Sequence, residues 1–481
     1  MAAMSLNGTE GGLQDCTIFC KTAEGVNIRA APLKLSRFSV VFETYGPDSV
    51  LRLSEALGDF KIVLRQQTVY SGRATVRNLV NTEQMQVCEA TLAENSWQTL
   101  AAIPSLTESG GLRKEFATFM HSWQKLYRIV PEYKLIIADM QSFFMDLRGW
   151  LEQVEFALRS SVNGNYAQAE QDAATELARS VIPCMNALFQ KFEVVAEALE
   201  KEDTPAHRDY MRRQLHPLLL CSPFAHRTFD KPLGYAGDYE MVNMILRNVP
   251  EGGSLFAKVV NSWFLDQPPA RAHRNRIDYL KGRLVDETAR AARKGRPMRI
   301  LNLGCGPAVE VQEFLRESQL SNGVQFTLLD FNDETIRFAQ SQLDGIQRES
   351  RRNASARIQK KSVLQVMKES LRNPHTPPAQ QHEFIYCAGL FDYLADHTCL
   401  QLTEILYEMV APGGLLVTTN VEPSNPLRNG MEHLLDWNLI YRTGAQMRKL
   451  RPRIADEENV SVLSDTTGVN VMLEVRKPEN V

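Results

Sequence analysis

The sequence predicts a multidomain chain: a small β-barrel, an α-helical segment and then an α/β domain on a mostly parallel sheet. Three observations carry this reading. The length of 481 residues exceeds what one hydrophobic core usually organises. The apolar pattern changes along the chain from strand-like alternation to helical spacing, and then to helix and strand in turn. A glycine turn, Gly304-Cys305-Gly306, follows an apolar strand and opens a helix.

Residues 14 to about 95 read as strands, among them Ser49-Val50-Leu51-Arg52-Leu53, Lys61 to Leu64, Arg73 to Val80 and Met85 to Leu92. Tyr45-Gly46-Pro47-Asp48 and Tyr70-Ser71-Gly72 read as turns between them. After Gly110-Gly111 the period becomes helical. A first stripe runs Phe116, Phe119, Met120, Trp123, Leu126 and Tyr127. A second joins Leu135, Ile136, Met140, Phe143, Phe144, Leu147, Trp150, Leu151, Val154 and Leu158. Beyond a turn at Asn163-Gly164-Asn165, a third joins Leu177, Val181, Met185, Leu188, Phe192, Val195 and Leu199. These helices read as a bundle or as a dimerisation arm, so a homodimer through this region is an open expectation.

From Arg271 helix and strand alternate. Helices are expected over 271–294, 309–318, 333–343 and 400–409, and strands over 298–303, 325–330, 357–361, 384–388 and 415–421. A closing hairpin is expected over 461–475, with a turn at Thr467-Gly468. Ala411-Pro412-Gly413-Gly414 reads as a turn, and Arg348, Arg351, Arg352, Arg357, Lys360 and Lys361 as a solvated loop and strand edge. The expected domains are 1–105 (β-domain), 106–200 (helices), 201–270 (lead-in and lid) and 271–481 (α/β domain).

Composition excludes several classes. A hydrophobic fraction of 44% and a charged fraction of 23% exclude a disordered chain, and eight cysteines in this length exclude a disulfide-dense scaffold. Lys+Arg 54 against Asp+Glu 57 leaves a net charge of −3, which gives no general attraction to nucleic acid. No apolar run approaches the roughly 18 residues that span a bilayer, so no stable membrane insertion is expected. No export signal is read in the first thirty residues, so the cysteines are expected reduced and the protein cytoplasmic. No cysteine spacing suits a metal, and none is expected.

The chemistry centres on Ile300-Leu301-Asn302-Leu303-Gly304-Cys305-Gly306-Pro307-Ala308-Val309-Glu310. Glycines in such a turn bring bare backbone against a ligand, and the helix N-terminus offers N–H groups to an anion. One strand later Leu328-Leu329-Asp330 ends in an acid placed to accept ribose hydroxyls. A dinucleotide fold wants a third glycine where Val309 stands, and a second βαβ half where this chain has a hairpin.

The arrangement resembles the class I S-adenosylmethionine-dependent methyltransferases, an enzyme family with a Rossmann-like, seven-stranded sheet ending in an antiparallel hairpin. A Rossmann-like domain that has lost its ligand is the alternative. The usual acid before the turn is Asn302 and the usual last glycine is Ala308, so Glu310 is expected to offer a carboxylate to the methionine amino group. By the same resemblance Gly304, Cys305, Gly306 and Asp330 bind the cofactor, S-adenosyl-L-methionine. Phe331 lies beside the adenine, Ser362 and Val363 meet its edge, and Ala388 lies near the methionine portion.

Further motifs narrow the likeness: Ser222-Pro223-Phe224-Ala225-His226-Arg227, Lys231-Pro232-Leu233-Gly234-Tyr235-Ala236-Gly237-Asp238, Tyr386 to Leu394 and Leu435-Asp436-Trp437-Asn438. With these the chain is similar to a bacterial group described as extracellular factor 3-hydroxypalmitic acid methyl ester biosynthesis proteins. That implies O-methylation of a carboxyl group on a fatty-acid-like or other small acceptor. Tyr235, Asp238 and His226 are the catalytic candidates, and His433 is a further base for an alcohol or amine acceptor. Phe391, Tyr393, Trp437 and Tyr441 are candidates to line an apolar channel. His226, Arg227, Tyr235 or Arg442 would orient the acceptor's head.

Cys387-Ala388-Gly389-Leu390 lacks the motif that the nucleic-acid amino-methyltransferases carry after this strand, which disfavours base methylation. The N-terminal stretch resembles a degenerate PilZ domain through Leu35-Ser36-Arg37-Phe38-Ser39 and Tyr70-Ser71-Gly72-Arg73-Ala74-Thr75-Val76. Neither arm that binds cyclic di-GMP is intact, so a structural or docking module is expected. A regulatory binding protein with a methyltransferase fold used for docking, or a protein methyltransferase, are the alternative functions.

Overall fold

Six antiparallel strands close into a barrel at the start of the chain: β1 (Cys16–Lys21), β2 (Asn27–Leu35), β3 (Ser39–Tyr45), β4 (Ala56–Leu64), β5 (Gln67–Asn81) and β6 (Met85–Leu92). The order around the barrel is β1-β2-β3-β6-β5-β4. The computed structural model describes residues 16–36, 38–45, 51–64, 67–81, 85–93, 96–97, 120, 129–161, 165–350, 353–372 and 381–479. Alternate residues fill the barrel, with Ile18, Val40, Phe42, Ile62, Tyr70, Ala74, Val76 and Cys88 fully buried.

The expected turn at Tyr70-Ser71-Gly72 instead lies within β5, in its first half. Gly72 pairs with Phe60, and a side chain on it would collide with Ser96, so the glycine marks a close approach. Ser49 and Val50 lie outside the described residues. Leu51 to Leu53 are not a strand but a buried loop, its Leu51 amide held by Gln86 Oε1 at 3.0 Å.

The helices are α1 (Pro131–Ser161), α2 (Tyr166–Glu197), α3 (Thr204–Leu219), α4 (Pro223–Asp230), α5 (Tyr239–Arg247), α6 (Leu255–Asp266) and α7 (Pro268–Arg293). The first predicted stripe falls outside the described residues, apart from Met120. In the second, Ile136, Met140, Phe144 and Leu151 are buried as expected, whereas Leu135 and Trp150 face outward. Tyr133, Ile137 and Glu155 take the inner face instead.

Two compact units form: Met1–Ala236 with Val249–Phe264 and Leu427–Asn438, and Gly237–Asn248 with Leu265–Pro426 and Leu439–Val481. In the first unit a buried carboxylate, Asp436, gathers several motifs. Arg212 Nη2 lies 3.1 Å from it and Lys231 Nζ, fully buried, 3.8 Å. Arg73 stacks on Phe229, 4.4 Å from ring centre to guanidinium carbon, and donates to the Phe229 carbonyl. Ser54 in the barrel donates to the Asn438 carbonyl at 2.7 Å, and the Ala56 amide to the Gly234 carbonyl at 2.7 Å.

The second unit carries β7 (Arg299–Leu303), α8 (Val309–Glu317), β8 (Gln325–Asp330), α9 (Asp333–Ser350), β9 (Ser355–Lys360), α10 (Val363–Arg372), β10 (His382–Cys387), α11 (Asp396–Glu408) and β11 (Val410–Val421). α12 (Arg428–Leu434) belongs to the first unit, and α13 (Gly444–Lys449), β12 (Val460–Ser464) and β13 (Asn470–Arg476) complete the second. Its seven-stranded sheet has the order β12-β13-β11-β10-β7-β8-β9. The pairs from β9 through β11 are parallel, and β13 runs antiparallel to β11 and β12.

The sheet is doubly wound. Ile300, Phe326 and Phe384 pack with α7, α8 and α9 on one face, and Leu301, Leu303 and Ile385 with α10, α11 and α13 on the other. α7 starts earlier than expected because Pro268 and Pro269 occupy its first positions, where a missing N–H costs nothing. α9 runs past Gly345 because Ile346 continues the buried stripe of Ala339 and Leu343. Ala411 to Gly414 lie within β11, where Gly413 N donates to the Lys477 carbonyl at 3.0 Å. Arg351 and Arg352 of the basic cluster lie outside the described residues. No helix among the described residues is long and apolar enough to cross a membrane.

Burial alone would raise the pKa of Asp436, but Arg212, Lys231, Arg73 and Arg208 together hold it well below the usual carboxylate range. D436A leaves buried cations uncompensated and is expected to cost about 3–5 kcal/mol, read as a lower urea midpoint. The pair's contribution is present above the unfolded pKa and is lost as pH falls toward the folded one. The gap between wild type and D436A therefore holds at neutral pH and shrinks only below about pH 4.

Candidate active site

The turn after β7 is built by three left-handed residues: Gly304 (φ 73), Gly306 (φ 54) and Ala308 (φ 52). Two of them are glycine, for which this conformation is free of steric cost. The amides of Gly304 and Cys305 both donate to the Leu329 carbonyl, at 2.8 and 3.0 Å, which ties the turn to the end of β8. Gly306 N donates to Asp330 Oδ2 at 3.1 Å, and Asn332 N to Asp330 Oδ1 at 3.0 Å. A carboxylate offers about four acceptor positions, so these two bonds are compatible with ribose hydroxyls. A Cβ added to Gly306 would meet nothing within 4 Å, so open space faces this backbone.

Behind the turn lies a buried polar trio. Glu310 Oε1 accepts from Tyr386 Oη at 2.7 Å and from Asn302 Nδ2 at 3.2 Å. Burial raises the Glu310 pKa, with the Tyr386 bond and Arg276 opposing. Asn302 Oδ1 is buried and has no hydrogen-bond partner among the described residues. Glu310 and Asn302 together fit a ligand ammonium, and the turn with Asp330 fits a nucleoside. The residues present thus suit S-adenosylmethionine.

The other candidates divide. Cys305 offers only backbone to the site; its side chain packs among Val311 and Phe314, and burial pushes its thiol well up. Phe331 follows Asp330 and is half-buried. Ser362 is buried and caps α10, its Oγ accepting from Gln365 N at 3.4 Å, while Val363 joins the core below. Ala388 ends β10 and is half-buried. Asp238 caps α5, its Oδ1 accepting from Met241 N at 2.9 Å. A Cβ on the neighbouring Gly237 would stand 3.1 Å from Tyr393 Oη, so this segment rests on Tyr393. Tyr235 and His226 belong to the first unit, half-buried and exposed respectively.

Three expectations need correction. Phe391 is fully buried in the core below the sheet and lines no channel. Arg442 is spent on structure, donating to the carbonyls of Phe391 and Leu394, to Asn420 Oδ1 and to Asp396 Oδ1. His433 is a core histidine of the first unit, bonded to Tyr133 Oη at 2.9 Å, with burial holding its pKa well below the ordinary value. Arg276, which no sequence motif singles out, is buried at the carboxyl end of β10. Only its place on the face shared with Ala272 and Leu280 signalled this.

No family model and no curated protein matches the chain. Among solved structures, a possible exported protein from Bordetella parapertussis is similar over 66% of this chain and 100% of its own, with 16% identity and a TM-score of 0.40. Magnesium protoporphyrin IX methyltransferase from Synechocystis, solved with bound SAM, is similar over 49% of this chain and 90% of its own, at 12% identity and a TM-score of 0.31. The N-methyltransferase NodS from Bradyrhizobium japonicum, in complex with S-adenosylhomocysteine, is similar over 50% and 98%, at 16% identity and a TM-score of 0.29. Identities and scores this low assign no function to this chain.

Because the folded protein raises the Glu310 pKa, it binds a proton that the unfolded chain has released. Its stability is therefore expected to fall as pH rises above about 4.3, the unfolded value. E310Q should lessen this dependence, to which the likewise raised Glu193 and Asp392 also contribute, and lift the urea midpoint near neutral pH. An unchanged pH profile in E310Q would show that Glu310 is not a source.

Proposed function

We propose that this chain is an S-adenosylmethionine-dependent methyltransferase, O-methylating the carboxyl group of a fatty-acid-like or other small acceptor. One observation supports the cofactor most: a glycine turn opening a helix is clamped to Asp330, with open space over Gly306 and an orphaned Asn302 oxygen beside Glu310. Such a turn lies at the carboxyl ends of parallel strands, where open α/β sheets bind ligands.

Gly304 and Gly306 would present backbone to the nucleoside half, and Asp330 would accept its hydroxyls. Phe331 would cover the base, with Ser362 and Val363 at its edge. Glu310 and Asn302 would hold the amino group, and a cation beside Glu310 would favour its ionised form. The bound cofactor supplies a methyl group on a positively charged sulfur. The chain's own work is then to align the acceptor and exclude water, which can supply much of the acceleration.

A carboxylate acceptor is ionised near neutral pH and needs no general base. Asp238 already spends one oxygen on a helix cap, which suits an acceptor of this kind. Tyr235 and His226 remain the other proposed contacts to the acceptor. The ester-forming activity draws its support from the sequence resemblance. The barrel is proposed as a PilZ-like docking module, since Arg73 is engaged by Phe229 rather than turned to a ligand.

Calorimetry with S-adenosylhomocysteine should give one site per chain, and D330A should weaken it at least tenfold, since hydrogen bonds to a charged group are lost. Incubation of the protein with methyl-labelled cofactor and a cell extract should place label in the organic phase as a base-labile ester. Label found only in protein would sink the small-acceptor reading.

A further inference from the structure

Arg276 is a buried cation of the second unit that the cofactor reading leaves unexplained. It lies on α7 with 8% of its surface exposed. Among the described residues no carboxylate comes within ion-pair distance of it, and its Nε is buried without a partner. Its Nη2 lies 2.9 and 3.2 Å from the two ring nitrogens of His273. Burial, with Arg276 and Arg274 adding to it, holds the His273 pKa well below the ordinary value, so that ring is neutral and balances no charge.

The nearest acids are committed elsewhere. Asp392 Oδ1 accepts from Val421 N at 2.7 Å, and Glu310 Oε1 accepts from Tyr386 and Asn302. The position of the guanidinium is also specific. A Cβ on Gly389 would stand 2.9 Å from its Nη1, 3.1 Å from Nη2 and 3.2 Å from Cζ. Gly389 (φ 80) is the second residue past β10, beside the turn that follows β7. The cation therefore sits against bare backbone, at the end of the sheet where a ligand would lie.

A buried guanidinium with no carboxylate in contact is costly, and its planar fork matches a carboxylate with two parallel hydrogen bonds. We propose that Arg276 is the carboxylate-binding residue of this site. The proposal rests on the methyltransferase reading and deepens it. Two ligand carboxylates share this chemistry: that of the cofactor's methionyl portion and that of the acceptor.

Calorimetry on the full chain, wild type and R276M, separates the sources. One arm compares S-adenosylmethionine with its decarboxylated analogue; the other compares decanoate with decanol in the presence of S-adenosylhomocysteine. If Arg276 holds the cofactor, wild type prefers S-adenosylmethionine over the analogue roughly tenfold to hundredfold, and R276M loses that preference. If it holds the acceptor, the same loss occurs in the decanoate arm and the cofactor arm is unchanged. R276K, which keeps the charge without the fork, should recover part of the preference.

The proposal is overturned if wild type shows no preference in either arm, or if R276M keeps both preferences within about twofold. It is also overturned if R276M weakens the uncharged analogues as much as the carboxylates. Should R276M not fold, as judged by its melt without ligand, the wild-type preferences and R276K decide. Absence of S-adenosylmethionine binding in wild type would sink the methyltransferase reading, and the decanoate arm would still judge Arg276.

Discussion

The candidate site depends on the way the turn after β7 is fastened to the end of β8. Two amides converge on the Leu329 carbonyl and a third on the Asp330 carboxylate, so the turn and the acid are set by one another. Parallel pairing of β7 with β8 places Leu303 opposite Leu329, which puts those partners within reach. The two strands differ in what they contribute. β7 ends in glycines that expose backbone, whereas β8 ends in a carboxylate that braces the turn.

The polar trio beneath the turn follows from the alternation of side chains across the sheet. Asn302 and Tyr386 fall on the same face as Ile300 and Phe384, where Glu310 arrives from the first turn of α8. An acid at that point is favoured by the helix N-terminus yet penalised by burial. Arg276 enters from α7 on that face and brings a guanidinium with no carboxylate in contact among the described residues. An amino group and a carboxylate on one ligand would answer both, which is the electrostatic logic of an amino-acid end.

Much of the α/β unit was legible. β8 was read to the residue, the closing hairpin was anticipated, and Val309 was read as the start of its helix, because these segments are strongly periodic and bounded by turn residues. The Ala411–Gly414 run misled because glycine and proline signal breaks locally, and sheet pairing overrode them. In the barrel Gly72 failed in the same way, its lack of a side chain serving Ser96 rather than a turn.

The motifs that narrowed the resemblance proved to have mixed roles. Lys231, Asp436 and Arg73 form buried charge contacts within the first unit, and Arg442 binds backbone carbonyls in the second. From sequence alone the turn, Asp330, Glu310 and the parallel sheet were determined, because local period and residue chemistry encode them. Which arginine stands unpaired, which histidine is core and which acid caps a helix were decided only by tertiary structure. Burial and counter-charge arise from residues far apart in the chain, and no spacing along it records them.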